Sequence, residues 1–199
     1  MRTPTPITLE RGPVSLQPWE PRHDADLLTA AQDEDVWRWL PAARPQSLED
    51  VEAIRRTHVG MPWAVVVDGR AAGSTSYLDV DTQVSGLEIG WTWYRKDLWA
   101  TEVNPTCKLL LLAHAFDDLG AARVTLKTDG LNARSQAAIR KLGCRHDGTL
   151  RHNRLRSDGS VRDTAYFSLL AAEWPQARIR LEERLVGHAR AEGTGGGRR

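Results

Sequence analysis

Residues Thr128–Gly143 read TDGLNARSQAAIRKLG, and this stretch decides the fold. Asn132 stands where a helix begins, Ser135 falls in its first turn, and Gly143 sits at its exit. The run VTLKTD, Val124–Asp129, comes just before and reads as a strand. The resulting strand–loop–helix unit has a helix N-terminus carrying two polar side chains and outward-facing backbone N–H groups. Such an end either caps itself or holds a polar ligand against the strand beside it.

Working outward, the upstream helix contains KLLLLAHAF, whose broad apolar face marks a core helix running to Asp118, with Pro105 in its first turn and Gly120 ending it. Before it lie a polar loop, 94–104, and a strand, Gly86–Trp93, containing LEIGWTW. Trp63–Val67, the pair Asp68-Gly69 and Ala71–Val80 predict a tight hairpin. Ser47 with Asp50 three residues on marks a helix start, and that helix runs toward His58. Val14–Trp19 alternates as a strand does, and a helical stretch follows from His23 to Ala31. DVWRWLP then sets Trp37 and Trp39 before a loop broken by Pro41. Downstream, Cys144–Arg156 and Ser160–Leu170 flank a turn at Ser157-Asp158-Gly159 and predict a long hairpin. This order predicts an α/β fold with a mixed sheet.

Residues 1–13 are rich in Pro and Thr and predict a flexible arm, and one domain is expected over 14–173. From Pro175 a final helix is expected, with Ala177, Leu181 and Leu185 as an i, i+4 stripe suited to packing or to a homodimer contact. Its end, GTGGGRR, is expected to be disordered. Residues 174–199 hold six Arg and three Glu, a net of +3, which leaves −2 for the rest of the +1 chain. The near balance of 27 basic and 26 acidic residues argues against a nucleic-acid partner. No apolar run approaches the roughly 20 residues of a membrane span. Cys107 and Cys144 form no CxxC and have no His at ligand spacing, so neither a metal site nor a disulfide framework is expected. A cytoplasmic location follows as the expectation.

The segments EIGWTW, NPTCKLLLLAHAF, LNARSQAAIRKLG and VRDTAYFSLLAAEWP, in this order and spacing, resemble the GNAT acyltransferases over residues 14–173. Within them the chain is similar to the ribosomal-protein N-terminal acetyltransferases RimJ and RimL. The resemblance implies a mixed, splayed β-sheet flanked by helices, and acetyl-CoA or another short acyl-CoA as co-substrate. It implies an acceptor that is a small-molecule amine or a peptide or protein N-terminus. The pantetheine arm would lie between the strand ending near Trp93 and the strand Val124–Asp129. The pyrophosphate would sit on the helix end Asn104-Pro105-Thr106, where a helix dipole suits an anion. Cofactor contacts are implied at Trp91, Trp93, Thr101, Val103, Asn104, Thr106 and Asn132. Trp37 and Trp39 would roof the acceptor, or else pack the first helices on the sheet. Ser135 would sit by the thioester sulfur and protonate the leaving thiolate, working mainly by positioning and hydrogen bonding.

The family's pyrophosphate loop carries a central glycine that this chain lacks. In the register that aligns KLLLLAHAF the loop is Trp99–Asn104, with Glu102 at the glycine; a second register, Arg95–Ala100, puts Leu98 there. Turned inward, Glu102 would oppose a diphosphate; turned to solvent, only its backbone constraint remains. The attacking amine must lose a proton, and Glu88 in LEIGW is the first candidate for its base, with Asp163 second. Glu88 facing solvent or pairing with an Arg is the bland alternative. Arg145–Arg156, RHDGTLRHNRLR, is a dense basic patch that either faces the acceptor or is solvated. A non-catalytic GNAT-like module acting through protein contacts is the rival reading.

Overall fold

The computed structural model of the chain describes the backbone of residues 1–195 and side chains through residue 187. Eight strands form one sheet in the order β1-β2-β3-β4-β5-β6-β8-β7. They are β1 (Leu9–Arg11), β2 (Val14–Pro18), β3 (Met61–Val67), β4 (Arg70–Asp81), β5 (Gly86–Tyr94), β6 (Arg123–Asp129), β7 (Arg145–Leu155) and β8 (Val161–Leu170). All neighbours are antiparallel except β5 and β6, which run parallel. The helices are α1 (Asp24–Ala30), α2 (Glu34–Trp37), α3 (Leu48–Thr57), α4 (Val103–Ala113, prolonged by a π turn over His114–Asp118), α5 (Ala133–Lys141) and α6 (Trp174–Gly195).

Local chemistry accounts for most of these boundaries. Ser47 Oγ accepts the Asp50 N–H at 3.2 Å while the Asp50 carboxylate accepts the Ser47 N–H at 3.1 Å, closing a capping box at α3. Replacing Ser47 with Ala is expected to cost about 1 kcal/mol, seen as a lower urea midpoint with an unchanged slope; no shift would mean that the Asp50 half of the box suffices. Asp68 and Gly69 join Val67 to Arg70 with φ of 50° and 80°, the left-handed pair that a two-residue hairpin needs.

Alternation along the strands sends side chains into two cores. Leu16, Trp63, Val65, Tyr77, Leu87, Ile89, Val124 and Phe167 meet α4 and α6 on one face. Ala64, Val66, Ala71 and Trp93 meet α1, α2 and α3 on the other.

Two expectations are corrected. The arm over 1–13 is not loose: Leu9–Arg11 pairs with β2, Ile7 O accepts the Trp63 indole N–H at 2.8 Å, and the N-terminal ammonium donates to Ser85 Oγ at 2.8 Å. Three residues are too few to show alternation, so this strand has no signature of its own. The stripe on α6 is not exposed: Ala177 and Leu181 are buried and Leu185 packs against the same core as α4. Of the GTGGGRR end, residues 193–195 close α6 and residues 196–199 lie outside the described residues.

The sheet opens in its middle. β5 and β6 pair only at Gly86↔Arg123, Leu87↔Val124 and Glu88↔Thr125. Beyond Glu88, β5 stays with β4 as far as Gly73↔Tyr94, while β6 stays with β8 as far as Asp129↔Thr164. Between Ser74↔Trp93 and Ser76↔Gly90 the β5 strand carries one extra residue, and Trp91 there has φ of 50°. A bulge of this kind bends and twists its strand, which turns β5 away from β6.

Candidate active site

The opened half of β5 is the least covered part of that strand: Gly90, Trp91 and Thr92 are partly exposed, whereas Leu87, Glu88, Ile89, Trp93 and Tyr94 are buried. The bulge also exchanges faces, so that Trp91 and Trp93 point toward α1–α3 and Thr92 points toward α4. The His58 ring meets Trp91 edge-on at 5.1 Å, and its Nε2 lies 2.8 Å from Ser76 Oγ. Burial lowers the His58 pKa below the usual imidazole range, so its neutral form is favoured, and its buried Nδ1 has no partner.

The facing wall is the start of α5. Asn132 caps it, with Oδ1 accepting the Ser135 N–H at 3.0 Å. The cap thus holds the Ser135 backbone, and the Asn132 amide N–H₂ and the partly exposed Ser135 hydroxyl remain for a ligand. The loop ahead of the helix is set by Asp129: its Oδ1 accepts the Leu131 N–H at 2.9 Å and its carboxylate takes two hydrogen bonds from Arg156, at 2.7 and 3.1 Å. Burial works to raise the Asp129 carboxyl, but the Arg156 and Leu131 hydrogen bonds outweigh it and hold the group below its usual range. The result is a prearranged loop whose geometry depends on a residue 27 positions away.

Across the gap stands the N-terminus of α4. Its cap residue, Glu102, makes no side-chain cap hydrogen bond, in contrast to Ser47 at α3 and Asn132 at α5. Thr101 Oγ1 donates to Leu98 O at 2.8 Å and accepts the Val103 N–H at 3.3 Å. The Asn104 side-chain Oδ1 accepts from the Tyr94 hydroxyl at 3.1 Å, and Val103 and Thr106 are buried. The two walls touch at the mouth, where the Arg134 guanidinium of α5 lies 3.4 Å from the Trp99 ring centroid.

Residues 14–145 match the acetyltransferase (GNAT) domain family. The chain belongs to that family. A Bacillus subtilis (strain 168) protein provisionally described as the ribosomal N-acetyltransferase YdaF is 27% identical over 168 residues, which cover 80% of this chain and 90% of that one. A crystal structure from T. thermophilus, provisionally described as an acetyltransferase, is 34% identical with a TM-score of 0.84, over 92% of this chain and 99% of that one. Mycobacterium smegmatis RimJ, solved in complex with CoA-disulfide, shares the fold at 22% identity and a TM-score of 0.74, over 92% of this chain and 96% of that one. Acyl transfer from an acyl-CoA is therefore the activity class of this GNAT chain.

Within the GNAT frame, the dipole of the helix end at Glu102-Val103-Asn104 suits a diphosphate, while its backbone donors are fewer than usual, because Thr101 Oγ1 takes the Val103 N–H and Pro105 has none. The half-exposed Glu102 side chain is the feature that does not match. Glu88 lies at the last β5–β6 pair before the opening. It is buried and paired with Lys127 of the next strand at 2.5 Å, while Lys127 also reaches Asp79 at 2.9 Å. Burial pushes the Glu88 carboxyl above its usual range, and Lys127 only partly offsets this. Glu88 therefore neither faces solvent nor pairs with an arginine. Asp163 does not pair with Arg151 or Arg162; it accepts the His152 N–H at 2.8 Å and lines a depression of about 510 Å³ beside the α5 start. His146, His152 and Arg156 of the basic patch line the same depression.

Trp37 and Trp93 come together, but in the interior. Their ring centroids are 5.2 Å apart, both side chains are buried, and the Trp37 indole N–H donates to Ala31 O at 2.8 Å. Packing of the first helices on the sheet is thus what these two indoles do, and neither side chain lines the gap. Trp39 stays partly exposed beneath Arg38. Cys107 and Cys144 are free and buried, with both thiols pushed up to about 12 by burial, which removes them as nucleophiles. Sequence reasoning missed His58, Lys108, Lys127 and Arg134. A lone His or Lys gives no signal of its own until a strand register supplies its neighbours.

Proposed function

We propose that this chain moves an acetyl or similar short acyl group from CoA to a primary amine, by direct attack of the amine on the thioester. The acceptor is a small-molecule amine or a peptide or protein N-terminus, and the compartment is the cytoplasm, in keeping with two free thiols. The observation that carries the reading is the pair of helix ends flanking the opened sheet: an anion-receptive α4 terminus on one side and the Asn132–Ser135 start of α5 on the other. An acyl-CoA spanning them supplies the activated carbonyl.

The chain's own groups then have distinct tasks. The Asn132 amide holds the pantetheine arm, and Ser135 Oγ offers a hydrogen bond to the sulfur as charge develops there. Glu88 accepts the amine proton; its buried position makes it a stronger base than an exposed carboxylate, and Lys127 keeps it oriented. No covalent enzyme intermediate is needed, since both thiols are buried and protonated.

Calorimetric titration with acetyl-CoA and free CoA, beside a Glu102→Gly variant, tests the reading. A like charge at about 5 Å from a phosphate costs on the order of 3 kcal/mol. Micromolar binding by the parent is expected, tightened about tenfold or more in the variant, because even a partly screened charge is relieved. Binding by the variant alone would overturn the enzyme reading in favour of a non-catalytic module.

A further inference from the structure

Lys108 is a buried cation that no acid among the described residues neutralises. It lies in the second turn of α4 and is 5% exposed. Among the described residues it forms no ion pair. Its one hydrogen bond goes from Nζ to Thr92 Oγ1, at 2.9 Å. An ammonium has three donors, so two are left over. Thr92 Oγ1 is itself engaged, lying 2.8 Å from Thr75 Oγ1. The thiols of Cys107 and Cys144 supply no countercharge, because burial keeps them protonated. Burial lowers the Lys108 ammonium to about 8, which leaves the charged form dominant at pH 7.

Its place in the fold is what gives this meaning. Thr92 immediately follows the Trp91 bulge, lies in the opened, partly exposed part of β5, and faces α4. Lys108 Nζ therefore sits directly beneath the wall of the gap that separates β5 from the α5 start. A buried charge is costly unless something pairs with it. Nothing among the described residues does so, and its hydrogen-bond partner Thr92 belongs to the partly exposed part of β5 that borders the opened sheet.

We propose that Lys108 selects the acyl group, and that the preferred donor is a CoA thioester whose acyl chain ends in a carboxylate. This rests on the acyltransferase reading above and adds the identity of the acyl group. The terminal carboxylate replaces solvent at Nζ and takes charge-assisted hydrogen bonds from the two free donors. It is a spectator in the chemistry. The amine nitrogen forms the amide bond as the C–S bond breaks, the amine proton ends on the CoA thiol, and the carboxylate leaves with the product unchanged.

The test uses binding to the full chain and needs no acceptor. Succinyl-CoA, the isosteric neutral 4-methylpentanoyl-CoA, acetyl-CoA and free CoA are titrated into the parent and into Lys108→Met. The parent is expected to bind succinyl-CoA about 30-fold more tightly than 4-methylpentanoyl-CoA, the factor expected when a charged hydrogen-bond partner is gained. In Lys108→Met that ratio collapses to about threefold or less by the same reasoning, with acetyl-CoA affinity unchanged. The variant keeps its fold, since an apolar residue of similar length replaces a buried charge, and a thermal melt checks this; the parent's own ratio decides the matter if it does not. Equal binding of the charged and neutral acyl-CoAs by the parent would overturn the carboxylate assignment alone. Equal weakening of all four ligands in the variant would also overturn it, placing Lys108 against the pantetheine arm instead. Failure of every CoA ligand to bind the parent would overturn the acyltransferase reading beneath it.

Discussion

Ser135→Ala is expected to lower kcat about 100-fold while leaving the Kd for acyl-CoA within about twofold. Ser135 contributes its backbone N–H to the Asn132 cap, and alanine keeps that bond, so the loop and helix start stay as they are. What disappears is the hydroxyl, for which the fold provides no role of its own at the α5 start. A hydrogen bond to charge that develops only on the sulfur stabilises the transition state and not the bound ground state, so the loss falls on kcat. The measurement is release of free CoA thiol with the best acceptor from a panel of amines and peptide N-termini, beside calorimetry of acyl-CoA binding. An unchanged kcat would remove Ser135 from the chemistry. A raised Kd with kcat intact would make it a binding residue only.

Lys127→Met should destabilise the protein by about 3 kcal/mol at pH 8, because removing one member of a buried ion pair leaves the other charged and unpaired. The buried group left behind is Glu88, with a side chain 9% exposed; the other partner, Asp79, is 67% exposed. Its carboxyl already lies above its usual range through burial, and loss of Lys127 raises it further. The sign of the pH dependence follows. A carboxyl with a raised folded pKa contributes stability in its protonated form, below the ordinary glutamate value. That stability is lost as pH rises through the folded value. The deficit of Lys127→Met is therefore expected to be larger at pH 8 than at pH 5, because lowering the pH favours the protonated form of Glu88. Urea unfolding at the two pH values reads this directly. An equal deficit at both would mean that Lys127 matters through its ammonium over the Tyr166 ring, 5.1 Å from Nζ to the centroid, and not through Glu88. The same variant should shift the acid limb of the kcat/KM profile to higher pH if Glu88 is the base.

The two predictions draw on different parts of what the chain reveals. Ser135 could be singled out as a candidate because its signals are local: Asn132 three residues earlier, a strand immediately before, a Gly at the helix exit. The bulge that opens the sheet was not legible, because it is a mismatch between two strands, and nothing within LEIGWTW marks Trp91 as the extra residue. Glu88 could be suspected from its strand, but its partner could not be named. Lys127 reaches it because the parallel β5–β6 register sets Glu88 opposite Thr125, which places Lys127 two residues on and on the same face. Trp37 and Trp93, read as candidates for the cleft, turn inward because the bulge reverses the faces of β5 and presents Trp93 to the α1–α3 core.

By itself, the sequence determined whatever depends on neighbours within a turn or a strand. That includes the capping box at Ser47–Asp50, the Asp68-Gly69 hairpin, the Asn132 start and Gly143 exit of α5, the apolar α4 and, through their order, the GNAT fold. These rest on backbone hydrogen bonding and side-chain periodicity, which act over a few residues. Only the tertiary structure decided which charges meet: Arg156 with Asp129, Lys127 with Glu88, and Lys108 with no acid among the described residues. Such pairings depend on sheet register and helix placement, and a buried charge carries no local mark of whether its partner is another residue or a ligand.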